Sequence, residues 1–136
     1  MSHRYTSMEI VNKEHLDDLN HVNNVQYLYW AQEVAKAHWN KIQELLDQTV
    51  GVWMVRSHEV NYKRGAFLGE SIRMETYVKD VRGPLSIHVV DFFNDKSNQL
   101  LVCAQTQWCY VDLTSRKPIK IPNGVATLFL MESPPF

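Results

Sequence analysis

"NVQYLYWAQEVAKAHWNKIQELLD", residues 24–47, is the stretch whose reading decides the fold. Within it Val25, Leu28, Ala31, Ala35, Trp39, Ile42, Leu45 and Leu46 recur at helical spacing, while Lys36, Asn40 and Gln43 take another side. Tyr29, Trp30 and Val34 widen the apolar surface beyond one stripe. The spacing therefore predicts a long helix from about Asn24 to Asp47, covered on more than one side.

C-terminal to this run the period changes. Ile72, Met74, Thr76 and Val78 alternate with Arg73, Glu75, Tyr77 and Lys79, and similar alternation runs through 52–62, 85–93 and 100–111, as strands require. "RGP" at 82–84 and "NDKSN" at 94–98 carry turn residues, so the last three strands form an antiparallel meander, closed by "TSRKP" at 114–118. A first strand around Arg4 to Val11 precedes the helix, and a short tail follows "IPNG" at 121–124. One helix against one antiparallel sheet is an α+β layer arrangement, with a sheet large enough to curl around the helix. With no repeat, low-complexity stretch or linker, residues 1–136 read as a single domain.

Composition narrows the function classes. Fourteen basic residues stand against 15 acidic ones for a net charge of -1, interspersed along the chain, so neither a nucleic-acid partner nor a membrane surface is expected. The N-terminus "MSHRYTSMEIV" has no long apolar core, and no apolar run approaches the length of a membrane span. Cys103 and Cys109 lie six apart in one expected strand, roughly 20 Å at about 3.3 Å per residue, too far for a mutual disulfide. A cytoplasmic location suits them.

N-terminal to the helical run, "LDDLNHVNNVQYLYW" at 16–30 sets two carboxylates, a histidine and three asparagines before an apolar segment. Read locally, Asp and Asn are the preferred helix N-caps, and a "DD" before a helix occurs in many proteins with no chemistry there. Read chemically, the first N–H groups of a helix have no internal partner and favour negative charge, so a helix beginning near Asn23 offers donors to an oxyanion, with Asp17 in the loop just before them.

The pattern D-x-x-x-H-V-N-N-x-x-Y, met here as Asp17, His21, Val22, Asn23, Asn24 and Tyr27, resembles the signature of hotdog-fold thioesterases, in both the 4-hydroxybenzoyl-CoA thioesterase-like and the acyl-ACP thioesterase-like branches. "NYKRGAFLGESIRMETYV" at 61–78 and "WCYVDLTSRKPIKIP" at 108–122 are similar to further family segments, so the likeness covers nearly the whole chain. Asn20 stands where many relatives have glycine, and Leu19 where the plant acyl-carrier-protein enzymes have asparagine.

The resemblance implies a hotdog fold, a long central helix wrapped by a five-stranded antiparallel sheet. It also implies hydrolysis of an acyl-CoA or acyl-carrier-protein thioester to free acid and thiol, without a cofactor. Asp17 becomes the catalytic carboxylate, as nucleophile or as general base on water. His21 orients the loop or donates to substrate, and Asn23 or Asn24 caps the helix or bonds the acyl carbonyl. Tyr27 packs in the first helical turns with its hydroxyl satisfied locally and stands among the substrate-binding candidates, Asp18 is a solvated neighbour, and Glu33 and Glu59 are secondary acid candidates.

Arg64, together with Arg82 and Ser86 from the "RGPLS" turn, are the candidates to hold coenzyme A phosphates. The sheet's two open edges imply a homodimer with active sites at the subunit boundary, and a face carrying Tyr77, Trp108 and Tyr110 offers a route to a tetramer.

His3, His15, His38, His58 and His88 lack metal-site spacing, and no glycine-rich phosphate loop or G-x-S-x-G elbow is present. The histidine-led motif of hotdog hydratases is also missing. The alternative to an enzyme is a non-catalytic acyl-CoA-binding hotdog protein, which keeps the pocket without needing Asp17.

Overall fold

The computed structural model describes residues 2–49 and 51–136. Strand β1 (Tyr5–Ile10) leads through a single 3-10 turn (Lys13–His15) and a loop into α1 (Asn24–Gln43). Then come β2 (Gly51–Tyr62), β3 (Ser71–Arg82), β4 (Leu85–Asn94), β5 (Leu100–Asp112) and a short α2 (Asn123–Leu130). The five strands form one sheet in the order β1-β3-β4-β5-β2, every pairing antiparallel.

The meander is built by its turns. Arg82 pairs with Leu85 across Gly83, which has a φ of 59° that glycine reaches without a Cβ penalty. Between β4 and β5 the Asn94 side chain accepts from the N–H groups of Lys96 and Ser97 at 3.0 and 3.1 Å, and Asn98 takes a φ of 60°. β2 joins the far side of β5 with a register shift between Val55 and Ser57.

Helix α1 lies across the concave face. It buries Tyr27, Trp30, Ala31, Val34, His38 and Ile42. The broad apolar surface expected from sequence is narrower than it reads, because Val25 and Tyr29 face outward, 68% and 59% exposed. The helix also ends before the expected Asp47. Leu45 and Leu46 donate their N–H groups to the carbonyls of Ile42 and Gln43, an i to i−3 tightening that closes the last turn. Helix α2 occupies part of what the sequence offers only as a tail, and it buries Val125 and Phe129.

The core is in two parts. One cluster gathers around Tyr27, Trp30, Phe92 and Val102, the other around Ile42, Tyr110, Ile121 and Phe129. Between them the inner face of the sheet carries Thr76, Ser86, His88 and Thr106, all buried, with His38 of α1 also buried.

Candidate active site

The loop before α1 is organised by Asp17. Its Oδ1 accepts from the N–H groups of Leu19 at 2.9 Å and His21 at 3.2 Å, while its own N–H donates to the His21 carbonyl at 2.8 Å. Asn20 closes the turn by donating its N–H to the Asp17 carbonyl and takes a φ of 62°. Asparagine is among the few L-residues that visit this left-handed region readily, so Asn20 performs the backbone task for which many relatives use glycine.

The helix start is equally defined. Asn23 is the N-cap, its side-chain oxygen accepting from Val25 N–H at 2.9 Å, and its carbonyl accepts from Gln26 N–H at 2.9 Å. The N–H of Asn24, first in the helix, has no partner within the described residues. It is the donor that the cap leaves free, at the positive end of the helix dipole.

These groups open on one cleft of about 230 Å³. Asp17, His21, Asn24, Tyr27 and Arg64 line it together, and the structure adds Tyr62, Lys63 and Gly65. The His21 ring lies over Gly65, where a Cβ would come within 3.5 Å of it, and meets Phe67 edge-on at 4.9 Å. Tyr62 Oη donates to the Asn24 carbonyl at 3.0 Å, tying the end of β2 to the helix start. Tyr27 differs from expectation in one respect: its hydroxyl, expected to be bonded locally, is buried with no partner among the described residues. Burial pushes the Tyr27 phenol up to about 12, with Glu70 and Tyr62 adding to the effect.

Other expected residues fall elsewhere. Asp18 and Glu59 are exposed, and Glu33 faces solvent near Lys36, with 3.8 Å between carboxylate and ammonium. Arg82 and Ser86 sit at the β3–β4 turn. Ser86 is opposite Trp108 on β5, six residues from the Val102 that pairs with Tyr62 at the cleft, or about 20 Å along the strand. Within one chain they are therefore not brought to the Asp17 cleft. Ser86 is moreover fully enclosed, which corrects the expectation of a phosphate contact at a pocket mouth: a buried hydroxyl on the inner face cannot reach a solvated anion. Sequence reasoning missed Tyr62 and Gly65 as cleft residues, although both lie in the quoted 61–78 segment.

A helix wrapped by a five-stranded antiparallel sheet, with a carboxylate loop and a capped helix start facing one cleft, is the hotdog architecture of thioesterases. The chain belongs to the thioesterase-like superfamily, which it matches over residues 11–129. No curated protein matches it by sequence. Among solved structures it is similar to a 1,4-dihydroxy-2-naphthoyl-CoA thioesterase from Synechocystis, with a TM-score of 0.78 and 17% identity over 91% of this chain and 93% of that one. It is also similar to a DHNA-CoA thioesterase from Staphylococcus aureus, with a TM-score of 0.74 and 18% identity over 86% and 80% of the two chains. A third similar structure is the S. aureus hypothetical protein SAV2348 in complex with CoA, with a TM-score of 0.80 and 14% identity over 93% and 82%. Among the described residues no helix is long and apolar enough to cross a membrane.

Proposed function

We propose that this protein hydrolyses an acyl-CoA or acyl-carrier-protein thioester at the Asp17 cleft. The observation that carries the reading is the juxtaposition of the Asp17 carboxylate with the unpartnered N–H of Asn24 in one cleft. Oδ1 of Asp17 is spent on the loop, which fixes the carboxylate's direction and leaves Oδ2, without a partner among the described residues, to take a proton from water or to attack the thioester carbon. The thioester carbonyl oxygen then lies against Asn24 N–H, where charge developing on it meets the helix dipole. His21, held between Gly65 and Phe67, bounds the cleft beside Asp17. Lys63 and Arg64, exposed at the rim, are the cations placed to meet the phosphates of a pantetheine carrier.

The exposed edge of β2, with Val52 and Met54 41% and 56% exposed, is the surface on which a second copy pairs to close the sheet. Light scattering with size exclusion at assay concentration tests this: a fully active species with the mass of one 15.9 kDa chain would refute it.

The decisive experiment is Asp17→Asn, assayed over acyl-CoA and acyl-carrier-protein thioesters of several lengths and including aromatic acyl groups. It should preserve the fold and lower turnover by at least about 10²-fold, the lower end for losing positioned acid–base help. Near-normal turnover would remove Asp17 from the mechanism.

A further inference from the structure

The two walls of the Asp17 cleft come from different parts of the fold. One is the start of α1 with the loop before it, carrying Asp17, His21 and Asn24; the other is the chain leaving β2, Tyr62 to Gly65. The second wall is fastened to the sheet. Tyr62 pairs with Val102 of β5, and the next two N–H groups, of Lys63 and Arg64, both donate to the Leu101 carbonyl, at 2.8 and 3.0 Å.

The first wall is organised mainly from within. Asn23 caps its own helix and Asp17 bonds the backbone of its own loop, so both contacts move with the wall they belong to. Among the described residues, two hydrogen bonds tie the helix start and its loop to the segment 62–66. Val22 N–H donates to the Ala66 carbonyl at 2.9 Å, and the Tyr62 hydroxyl donates to the Asn24 carbonyl at 3.0 Å. Val22 lies in the loop and Asn24 in the helix, so the first bond by itself leaves a pivot, and the second stops rotation about it. The phenol suits this role: a rigid ring on a short stem holds its hydroxyl at a fixed reach, and the ring meets that of Tyr27 edge-on at 5.9 Å.

We infer that Tyr62 is a positioning residue, whose hydroxyl sets the span between the Asn24 N–H and the cations Lys63 and Arg64. This rests on the hydrolase reading, in which the thioester oxygen meets Asn24 while the carrier's phosphates meet the two cations. A thioester anchored at its phosphates reaches the N–H only if that span is right, and a misplacement of about 1 Å can cost about 10²-fold in rate. Tyr62 acts through the Asn24 backbone and needs no contact with the reacting atoms. A thioester with no phosphates is free to follow the helix start, so it loses less when the span is loosened.

Tyr62→Phe keeps the ring and removes only the donor. The full chain is assayed with one acyl group on two carriers: coenzyme A, and N-acetylcysteamine, which ends before any phosphate. On acyl-CoA, kcat should fall at least about fivefold, the size expected of one net hydrogen bond, while KM changes less than kcat. On the truncated thioester the fall in kcat/KM should be no more than about half that seen with acyl-CoA. In a ¹H–¹⁵N spectrum the Asn24 and Val25 cross-peaks should move while that of Ala35, near the helix centre, stays in place, which also shows that the variant folds. A smaller fall on acyl-CoA, a larger share of it retained on the truncated thioester, a change in KM as large as that in kcat, or unmoved Asn24 and Val25 cross-peaks would overturn the proposal. With Asp17→Asn impaired and Tyr62→Phe normal, this inference alone falls; a parent chain inert toward every thioester tried removes the hydrolase reading as well.

Discussion

Helix α1 has two ends that treat polar groups in opposite ways. At its start, Asp17, Asn20 and Asn23 are half-buried or exposed, and each is engaged with a backbone group nearby in sequence. About 20 Å further along, His38 and His88 are buried, and their partners among the described residues are distant in sequence or missing. The first arrangement is local and fixes a loop; the second is long-range and leaves hydrogen-bonding capacity unused inside the core. Polar residues at a helix end are therefore a poor guide to chemistry until their partners are known.

Lengthening the loop by one residue between Asn20 and His21 is the severest way to break the first arrangement. It displaces Asp17 from Asn24 N–H, and kcat should fall by more than about 10²-fold while KM changes much less if the proposed oxyanion contact at Asn24 strengthens in the transition state. Equal losses in kcat and KM, read from steady-state kinetics, would mean that the loop serves binding alone.

The second arrangement is broken by acid. Burial lowers the His38 ring to about 3, with His88 and His3 adding, and burial lowers His88 to about 4. The unfolded chain, with histidines near 6.5, then binds more protons than the native state below that pH. The stability these rings allow is complete above pH 6.5 and is lost as the pH falls toward 4, at a slope approaching about 1.4 kcal/mol per pH unit for each ring. Urea midpoints between pH 6.5 and 5 measure this before most carboxylates titrate, and His88→Phe should flatten the curve. The titratable groups in contact with His38 among the described residues are His3, His88 and Tyr5, and the Phe129 ring meets it edge-on at 5.3 Å.

Asn20 gives the smallest effects and sharpens the contrast, since its role is purely conformational. Asn20→Val should cost roughly 1–2 kcal/mol, the strain of a left-handed β-branched residue. Asn20→Gly should lie within about 0.5 kcal/mol of the parent. Denaturant unfolding of the two variants decides, and equal losses would mean that the Asn20 side chain matters in itself.

The same contrast explains what the sequence discloses. Strand alternation, the turn residues at 82–84 and 94–98, and the D-x-x-x-H-V-N-N pattern are local signals, and the structure has the meander and the cap where they point. The role of His38 was not legible, because a histidine on an apolar helix face takes its meaning from His3 and His88, 35 residues before it and 50 after. The sequence points past the true end of α1 because Leu45 and Leu46 keep the apolar period after the i to i−4 bonds have stopped. Helix α2 is hidden in the sequence because Pro122, Asn123 and Gly124 are turn-forming residue types, while Pro122 in fact stands at the N-cap.

The strand order also sets the course of folding. β3, β4 and β5 are joined by short turns and can pair as soon as they exist, whereas β2 must meet β5 across separations of 40 residues at Tyr62–Val102 to 61 at Gly51–Asp112. Closing loops of that length before any contact rewards it is slow. During synthesis β2 emerges before β5, its one strand partner among the described residues, and waits, with Val52, Met54 and Val60 in the open, until β5 has been made. β2 is thus one of two edge strands that stay unpaired through much of synthesis; β1 waits longer, from Ile10–Ser71 to Tyr5–Thr76, but has 6 residues against the 12 of β2, which makes residues 51–62 the segment where crowding during expression should first show as aggregation.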